Sequence, residues 1–181
     1  MENTEEIVQP ITAEQQTQVI KQTEIYIGKA AALFSMKLKS VEITFDLKGR
    51  TAGMYRVYGN KREIRYNPYI FSKYFDDNFN TTVPHEVAHY ITDIIYGLGK
   101  IKPHGKEWKA VMHAFNADAS VTSNYDLSGI PVRKQTLYSY QCDCREHQIS
   151  SVRHKKIISK RGQYYCTYCK QSLRTKTKAA A

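Results

Sequence analysis

Apolar residues in the first third of the chain recur first with a helical period and then with a strand period. Residues 11–37 carry apolar side chains at roughly three- and four-residue spacing, which predicts one long helix with Thr12 as its N-cap and Gly28 as the point where an interruption would fall. Residues 41–47, 51–59 and 63–67 then alternate apolar and polar positions, with turn sequences between them. These segments predict a three-stranded antiparallel meander.

A short helix and a polar break are predicted after the strands. The helix starts at Pro68 and runs through Tyr74, and the segment DDNFN at positions 76–80 predicts an irregular break. Beyond this break, Thr81 or Thr82 is the predicted N-cap of the next helix. Helices therefore surround a small sheet, which indicates the α+β class.

The next helix is the most strongly patterned segment of the chain. Its apolar stripe consists of Val83, Val87, Tyr90, Ile91, Ile94, Ile95 and Leu98. Such a stripe must face the core, and Gly97 and Gly99 end the helix. Another amphipathic helix is predicted over 105–115, residues 118–136 look irregular, and a domain boundary is placed near 129–131.

This central helix carries the sequence HEVAH at positions 85–89, an HExxH motif. His85 and His89 lie one helical turn apart on one face, so their imidazoles can bind a single cation, and Glu86 projects beside them as a general base. Catalytic zinc takes three protein ligands and keeps an open position. A metzincin would have glycine at position 92 and histidine at 95, whereas Thr92 and Ile95 stand there, so that family is excluded.

The third zinc ligand has three candidates later in the sequence: His104, Glu107 and Asp118. Glu107 and Asp118 are acidic, but neither lies in the motif expected of a gluzincin. His104 follows a glycine-containing loop and begins the next helix, so the chain can fold back and present it from the turn. We expect His104 to complete a three-histidine site and His113 to be solvated.

Such a site predicts hydrolysis of an amide bond. Zinc lowers the pKa of bound water toward ~7 and polarises a carbonyl group, while Glu86 accepts the water proton and passes it to the leaving amine. A tyrosine is a reasonable donor to the oxyanion, but the chain has 14 tyrosines and the sequence does not select one.

Composition and charge restrict the class of protein and its partners. The 181 residues contain no stretch of roughly 20 apolar residues, and the acidic, amide-rich start lacks the pattern of a signal peptide, so we expect a cytoplasmic protein without a membrane partner. The net charge of +10 arises entirely from 132–181, which has 12 basic and 2 acidic residues. Because neutralised phosphates release counterions, this segment favours binding to nucleic acid.

All four cysteines also lie in this basic segment. They form two close pairs, Cys142 with Cys144 and Cys166 with Cys169. Reduced thiols grouped in this way predict a structural zinc site rather than disulfides.

These features together resemble a known family. The residues that carry the resemblance are TTVPHEVAHY (81–90), HGKEW (104–108), YQC (140–142) and YCTYC (165–169), and they are similar to the SprT-like metalloprotease family, which includes the eukaryotic Spartan proteases. The resemblance implies a minimal zincin-like fold with His85, His89 and His104 as zinc ligands and Glu86 as the catalytic base. It also implies a C-terminal zinc ribbon with a second, structural zinc.

The resemblance sets expectations for two domains, a metalloprotease domain over 1–131 and a basic zinc ribbon over 132–181. The expected ribbon ligands are Cys166 and Cys169 with Cys142 or Cys144, the fourth being His147 or the other cysteine, and His154 is held in reserve. This set stays open because Cys142 and Cys144 are separated by only one residue.

The basic side chains around the cysteines are interleaved with aromatic residues that could stack on bases. The cationic side chains and His154 are Arg145, Arg153, His154, Lys155, Lys156, Lys160, Arg161, Lys170 and Arg174, and the tyrosines are Tyr138, Tyr140, Tyr164, Tyr165 and Tyr168. These residues predict a zinc protease that the basic segment recruits to nucleic acid. The resemblance to Spartan-type proteases implies that it cleaves proteins bound or crosslinked to DNA, either single-stranded DNA or DNA with junctions. The alternative is a non-catalytic, zinc-containing protein that either binds nucleic acid or has a regulatory role.

Overall fold

The computed structural model describes residues 7–120, 124–132 and 136–175. The chain divides into two compact units, Met1–Val132 and Arg133–Ala181. Both contain helices and a small sheet, in keeping with the α+β class. In the described parts of the chain, no helix combines the length and apolar character needed to span a membrane.

The first helix, α1, runs from Ala13 to Leu33. Thr12 is its N-cap, as expected: the Thr12 side chain accepts from the Gln15 N–H, and the Gln15 side chain accepts from the Thr12 N–H. The helix continues through Gly28 without a break. It packs on the rest of the unit through Val19, Thr23 and Ala30.

The N-terminal sheet contains the three expected strands, but its topology corrects the predicted meander. The strands are β1 (Glu42–Thr44), β2 (Gly53–Tyr58) and β3 (Lys61–Tyr66), in the order β1-β3-β2. β2 and β3 form an antiparallel hairpin, whereas β1 pairs with β3 in parallel. The prediction was wrong because alternation identifies strands but not their neighbours.

Hydrogen bonds of Asn67 hold the connection between β1 and β2, which crosses the end of β3 to its other side. The Asn67 side chain donates to the carbonyls of Gly49 and Thr51, and its backbone N–H donates to the carbonyl of Ala52. The connection between β1 and β2 is therefore held at the end of β3. β2 follows as the edge strand of this sheet.

Three consecutive helices follow: α2 (Pro68–Lys73), α3 (Phe75–Asn80) and α4 (Thr82–Tyr96). The expected polar break at 76–80 is wrong, because this segment forms α3. Thr81 occupies the N-cap position of α4, one of the two expected, but without a capping hydrogen bond from its side chain. The Thr81 hydroxyl instead donates to the Asp77 carbonyl, and the Thr82 hydroxyl donates to Asn78 Oδ1.

Gly97 ends α4 with φ 84°, as the sequence predicted. A short 3-10 turn, Leu98–Lys100, precedes α5 (Lys106–Ala114). The segment after α5 forms no helix or strand within 116–120 and 124–132. The core of the unit lies between α1, α4, α5 and the sheet, and its largest fully buried side chains include Tyr66, Phe71, Tyr90, Ile91, Trp108 and Met112.

The C-terminal unit is a small sheet with an additional helix. Its strands are β4 (Leu137–Gln141), β5 (Glu146–Ser150) and β6 (Arg174–Thr175), in the order β5-β4-β6 with antiparallel pairing. Between β5 and β6 lies α6 (Ser151–Ile158), which the ribbon expectation did not include. This helix carries part of the basic segment.

Candidate functional site

Three histidines converge from two elements of the N-terminal unit. His85 and His89 lie one turn apart on α4, and His104 comes from a turn before α5. The Gly105 N–H donates to the Lys102 carbonyl at 3.0 Å, and His104 has φ 55°. Pro103 followed by His104 with positive φ is the arrangement of a type II turn, in which glycine usually occupies the position that His104 takes here.

The Nε2 atoms of these histidines form a nearly equilateral triangle. The separations are 3.2 Å between His85 and His89, 3.0 Å between His89 and His104, and 3.0 Å between His85 and His104. Tetrahedral zinc with bonds of 2.0–2.1 Å would separate its nitrogen ligands by about 3.4 Å. The triangle thus fits a zinc ion closely, and among the described residues no carboxylate joins this group.

The protonation of the three imidazoles also suits a metal. Burial, reinforced by the neighbouring imidazoles, lowers the pKa of His85 to about 4 and that of His89 to about 3. Burial lowers the pKa of His104 as well. All three rings are neutral at pH 7, and neutral imidazole is the form that binds a metal ion.

Trp108 packs against all three histidines from α5. Its ring centroid lies 4.7 Å from that of His85, 5.7 Å from that of His89 and 4.8 Å from that of His104. Its Nε1–H donates to the His85 carbonyl at 3.3 Å. The sequence placed Trp108 in the HGKEW motif and on a predicted amphipathic helix, but only the structure shows that it packs against the imidazoles.

Glu86 lies next to the histidines and is almost fully buried, with 5% of its surface exposed. Its Oε2 accepts a hydrogen bond of 2.7 Å from the backbone N–H of Tyr55 in β2. Burial raises the pKa of Glu86 to about 8, although this hydrogen bond partly opposes the shift. A cation bound beside Glu86 would favour its ionised form.

A cleft of about 760 Å³ opens onto these groups. Its walls are formed by residues 50–55, by α4 and by the segment that leads to His104. Asp118 lines the cleft, but neither Asp118 nor Glu107 belongs to the histidine group. His113 is exposed on α5.

A buried acidic residue that sequence reasoning missed lies one turn beyond the motif. Asp93 Oδ2 accepts from the Tyr55 hydroxyl and from Arg62 Nε, each at 2.7 Å, and its Oδ1 accepts from the Leu98 N–H at 3.1 Å. Desolvation raises the pKa of Asp93, but these hydrogen bonds outweigh it and hold the pKa below its ordinary value. An acidic residue four positions after His89 was the available signal.

The C-terminal unit brings its four cysteines together. The Sγ atoms of Cys142, Cys144, Cys166 and Cys169 all lie within 4.8 Å of one another, and none forms a disulfide. The separations of 3.4 Å between the Sγ atoms of Cys142 and Cys144 and of 3.7 Å between those of Cys144 and Cys166 are close to the roughly 3.8 Å expected for thiolates on tetrahedral zinc. The tight spacing of the first pair does not keep either thiol out of the cluster.

The two histidines considered for this cluster lie in different surroundings. His147 Nε2 is 3.2 Å from Cys142 Sγ. Desolvation opposes ionisation of Cys142, but its hydrogen bonds, His147 first among them, lower the pKa of this thiol to about 5. His154 stacks on Tyr138 with ring centroids 3.7 Å apart and contacts the Tyr140 hydroxyl, so it is engaged away from the thiols.

Comparisons with known proteins agree with these features. The family model described as the SprT-like family matches residues 18–133. A relative named Protein SprT from Vibrio atlanticus is 34% identical over 160 residues, covering 88% of this chain and 92% of the relative. Another Protein SprT, from Actinobacillus succinogenes, is 33% identical over 158 residues, covering 86% and 88% of the two chains. No solved structure matches. The chain belongs to the SprT-like family.

Proposed function

We propose that this protein is a zinc-dependent metalloprotease with a zincin-like catalytic domain that cleaves proteins bound or crosslinked to DNA. The observation that carries the proposal is the triangle of three neutral imidazoles beside the buried carboxyl of Glu86, at the wall of an open cleft. His85, His89 and His104 would hold the zinc ion. A site with only three protein ligands and a nearby carboxyl group fits a catalytic metal better than a structural one.

The chemistry assigned to the chain's own residues is proton transfer. When bound, zinc would supply Lewis-acid activation of water and of the scissile carbonyl. Glu86 accepts a proton from the attacking water, whose oxygen bonds to the carbonyl carbon of the amide. As the carbon–nitrogen bond breaks, Glu86 returns this proton to the leaving amine.

The outer edge of β2, which pairs with no other strand among the described residues, supports a polypeptide substrate. Because the Tyr55 N–H points to Glu86 rather than to β3, the peptide groups of residues 53, 55 and 57 face away from the sheet. An extended polypeptide can add along such an edge through main-chain hydrogen bonds. A small-molecule hydrolase would have no use for this length of strand.

The C-terminal unit is proposed to hold a structural zinc and to bind DNA. The mutual proximity of Cys142, Cys144, Cys166 and Cys169 supports these four as ligands, with His147 donating a hydrogen bond to Cys142. The proposal thereby selects one of the ligand sets that the spacing left open.

DNA binding by this unit is supported by its charge and by its exposed rings. Tyr165 and Tyr168 are 56% and 70% exposed, and the Arg145 guanidinium lies 3.6 Å from the Tyr168 ring centroid. Tyr140 is buried, so it is not available for stacking on bases. Cations would bind phosphates while the exposed rings contact unpaired bases, which favours single-stranded DNA.

The decisive experiment compares cleavage of a protein crosslinked to single-stranded DNA by the wild type and by Glu86→Gln. Glutamine keeps the size of the side chain but cannot accept the proton, so we expect zinc content to be retained and the rate to fall by about 10²–10⁴-fold. Glu24→Gln, an exposed change on α1, is the matched control and should be fully active. Omitting the DNA tests recruitment. Equal cleavage by the wild type and Glu86→Gln would refute the proposal.

A further inference from the structure

β2 passes close to Glu86 at Gly53. A Cβ atom at this position would lie 2.7 Å from Glu86 Cγ, 2.7 Å from Thr82 Cγ2 and 2.8 Å from Glu86 Oε1. Carbon atoms in contact normally stay about 3.5–4.0 Å apart, so any side chain here would displace the strand or the carboxyl group. Glycine is therefore required by a close approach of β2 to α4.

Two residues further along β2, the backbone holds one oxygen of the same carboxyl group. The Tyr55 N–H donates to Glu86 Oε2 at 2.7 Å, a short bond of the kind formed with a charged acceptor. Because Oε2 already accepts this hydrogen bond, Oε1 is the oxygen better placed to exchange a proton. The position that a Cβ of residue 53 would take lies only 2.8 Å from Oε1.

The side chain of Tyr55 fixes the position of the strand along α4. Its hydroxyl donates to Asp93 Oδ2, which also accepts from Arg62 of β3, so both strands of the hairpin are tied to one carboxylate on α4. Asp93 is 7% exposed, and buried hydrogen bonds to a charged group are costly to break. The network thus holds the Tyr55 N–H in register with Glu86.

We infer that β2 is a clamp for the catalytic base, in which Gly53 and Tyr55 are positioning residues that orient Glu86 Oε2 and keep Oε1 accessible. This inference rests on the proposed function. It predicts that small changes in β2 lower the rate of the chemical step without removing the metal, because the atoms nearest to a Cβ at Gly53 belong to Glu86 and Thr82, and the Tyr55 hydroxyl donates to Asp93.

The first test is Gly53→Ala. A displacement of the base by about 1 Å can cost about 100-fold in rate, so we expect kcat to fall by about that factor while KM and zinc affinity stay unchanged. Thr82→Ser, added to Gly53→Ala, removes the methyl group that the new Cβ would contact but leaves the contact with Glu86. Gly53→Ala should also lower Tm through these contacts. The double variant should recover much of this loss without recovering kcat. Recovery of kcat together with Tm would make Gly53 a merely structural residue and overturn the clamp.

The second test compares Tyr55 of β2, which contacts α4, with Tyr90, which lies on α4. Tyr55→Phe removes the hydroxyl that binds Asp93, and we expect kcat to fall at least ~10-fold through loss of orientation. Tyr90→Phe is the matched control, because it removes a hydroxyl that donates to the Lys39 carbonyl at 2.7 Å rather than to Asp93, and it keeps the ring that packs near Tyr55. It should lose similar thermal stability and keep wild-type kcat. Equal kcat in the two variants would overturn the role of Tyr55.

A readout independent of activity is the backbone amide signal of Tyr55 in ¹H–¹⁵N spectra of the zinc-free protein. A hydrogen bond to the Glu86 carboxyl group predicts that this signal moves in Glu86→Gln and in Gly53→Ala. An unmoved signal would overturn the clamp whatever the activity. Absence of cleavage by the wild type, with the signal moving as expected, would refute the proposed function instead, whereas an active wild type with an equally active Gly53→Ala would refute the clamp alone.

Discussion

Glu86 places a carboxyl group in surroundings that oppose its ionisation when no metal is bound. Burial raises its pKa from the ordinary 4.5 to about 8. Replacing Glu86 by glutamine keeps the side-chain size and an acceptor for the Tyr55 N–H, but removes the titration. The zinc-free protein with glutamine at this position should therefore be more stable than the wild type at alkaline pH.

The size of the effect follows from proton linkage. A group whose pKa is raised on folding contributes stability that is complete below its unfolded pKa and is lost as the pH rises through the folded value. For Glu86 the full change, at 1.36 kcal/mol per pH unit, amounts to about 5 kcal/mol. Between pH 6.5 and 8 the wild type should lose about 2 kcal/mol relative to Glu86→Gln.

This pH window separates Glu86 from the histidines. His85 and His89 have lowered pKa values of about 4 and 3, so their contribution is complete above pH 6.5 and is lost only as the pH falls below it. Urea unfolding in the presence of a chelator would measure the difference in free energy. Trp108 is the only tryptophan of the chain and lies in the N-terminal unit, so its fluorescence reports on the unit that contains Glu86. Parallel stability curves for the two proteins from pH 6.5 to 8 would show that Glu86 is already ionised, and would refute the reasoning.

Three further predictions concern the metal groups and the basic unit. His104→Ala should lose one of the two proposed zinc ions, as measured by elemental analysis of the purified protein. His113→Ala changes an exposed residue and should keep both ions, so equal zinc contents in the two variants would contradict the three-histidine site. Cys169→Ser should lose the other zinc and broaden the NMR signals of the C-terminal unit, and full zinc retention would remove this thiol from the ligand set. Lys156→Glu on α6 should weaken binding of single-stranded DNA and reduce the slope of log binding constant against log salt concentration by about 1. Lys21→Glu on α1 is the control and should change neither quantity. Fluorescence anisotropy at several salt concentrations measures both.

The chemistry that lies within one element could be read from the sequence. His85, Glu86 and His89 are related by helical geometry alone, because residues one turn apart on a helix share a face. The N-cap at Thr12 and the end of α4 at Gly97 also follow from local backbone chemistry. For the same reason the apolar stripe predicted the buried side of α4 at Val83, Val87 and Ile91. It was wrong at Leu98, which lies beyond the end of α4 and is 48% exposed.

Features that join separate elements were harder to predict. Period-2 alternation found the strands but not the parallel pairing of β1 with β3, which depends on how Asn67 holds the connection. The polar segment 76–80 was expected to be irregular, yet it forms α3 because the chain continues almost directly from α2 into α4. The helix α6 was absent from the ribbon expectation.

The sequence by itself determined which residue types could bind a metal, and the spacing of two of them. The tertiary structure decided that His104 completes the triangle with α4, that four thiols meet despite uneven spacing, and that Gly53 and Tyr55 lie against Glu86. The physical reason is that local backbone geometry sets distances only over a few residues. Distances between elements follow from burial of the whole core and from hydrogen bonds such as those of Asp93, which no local pattern encodes.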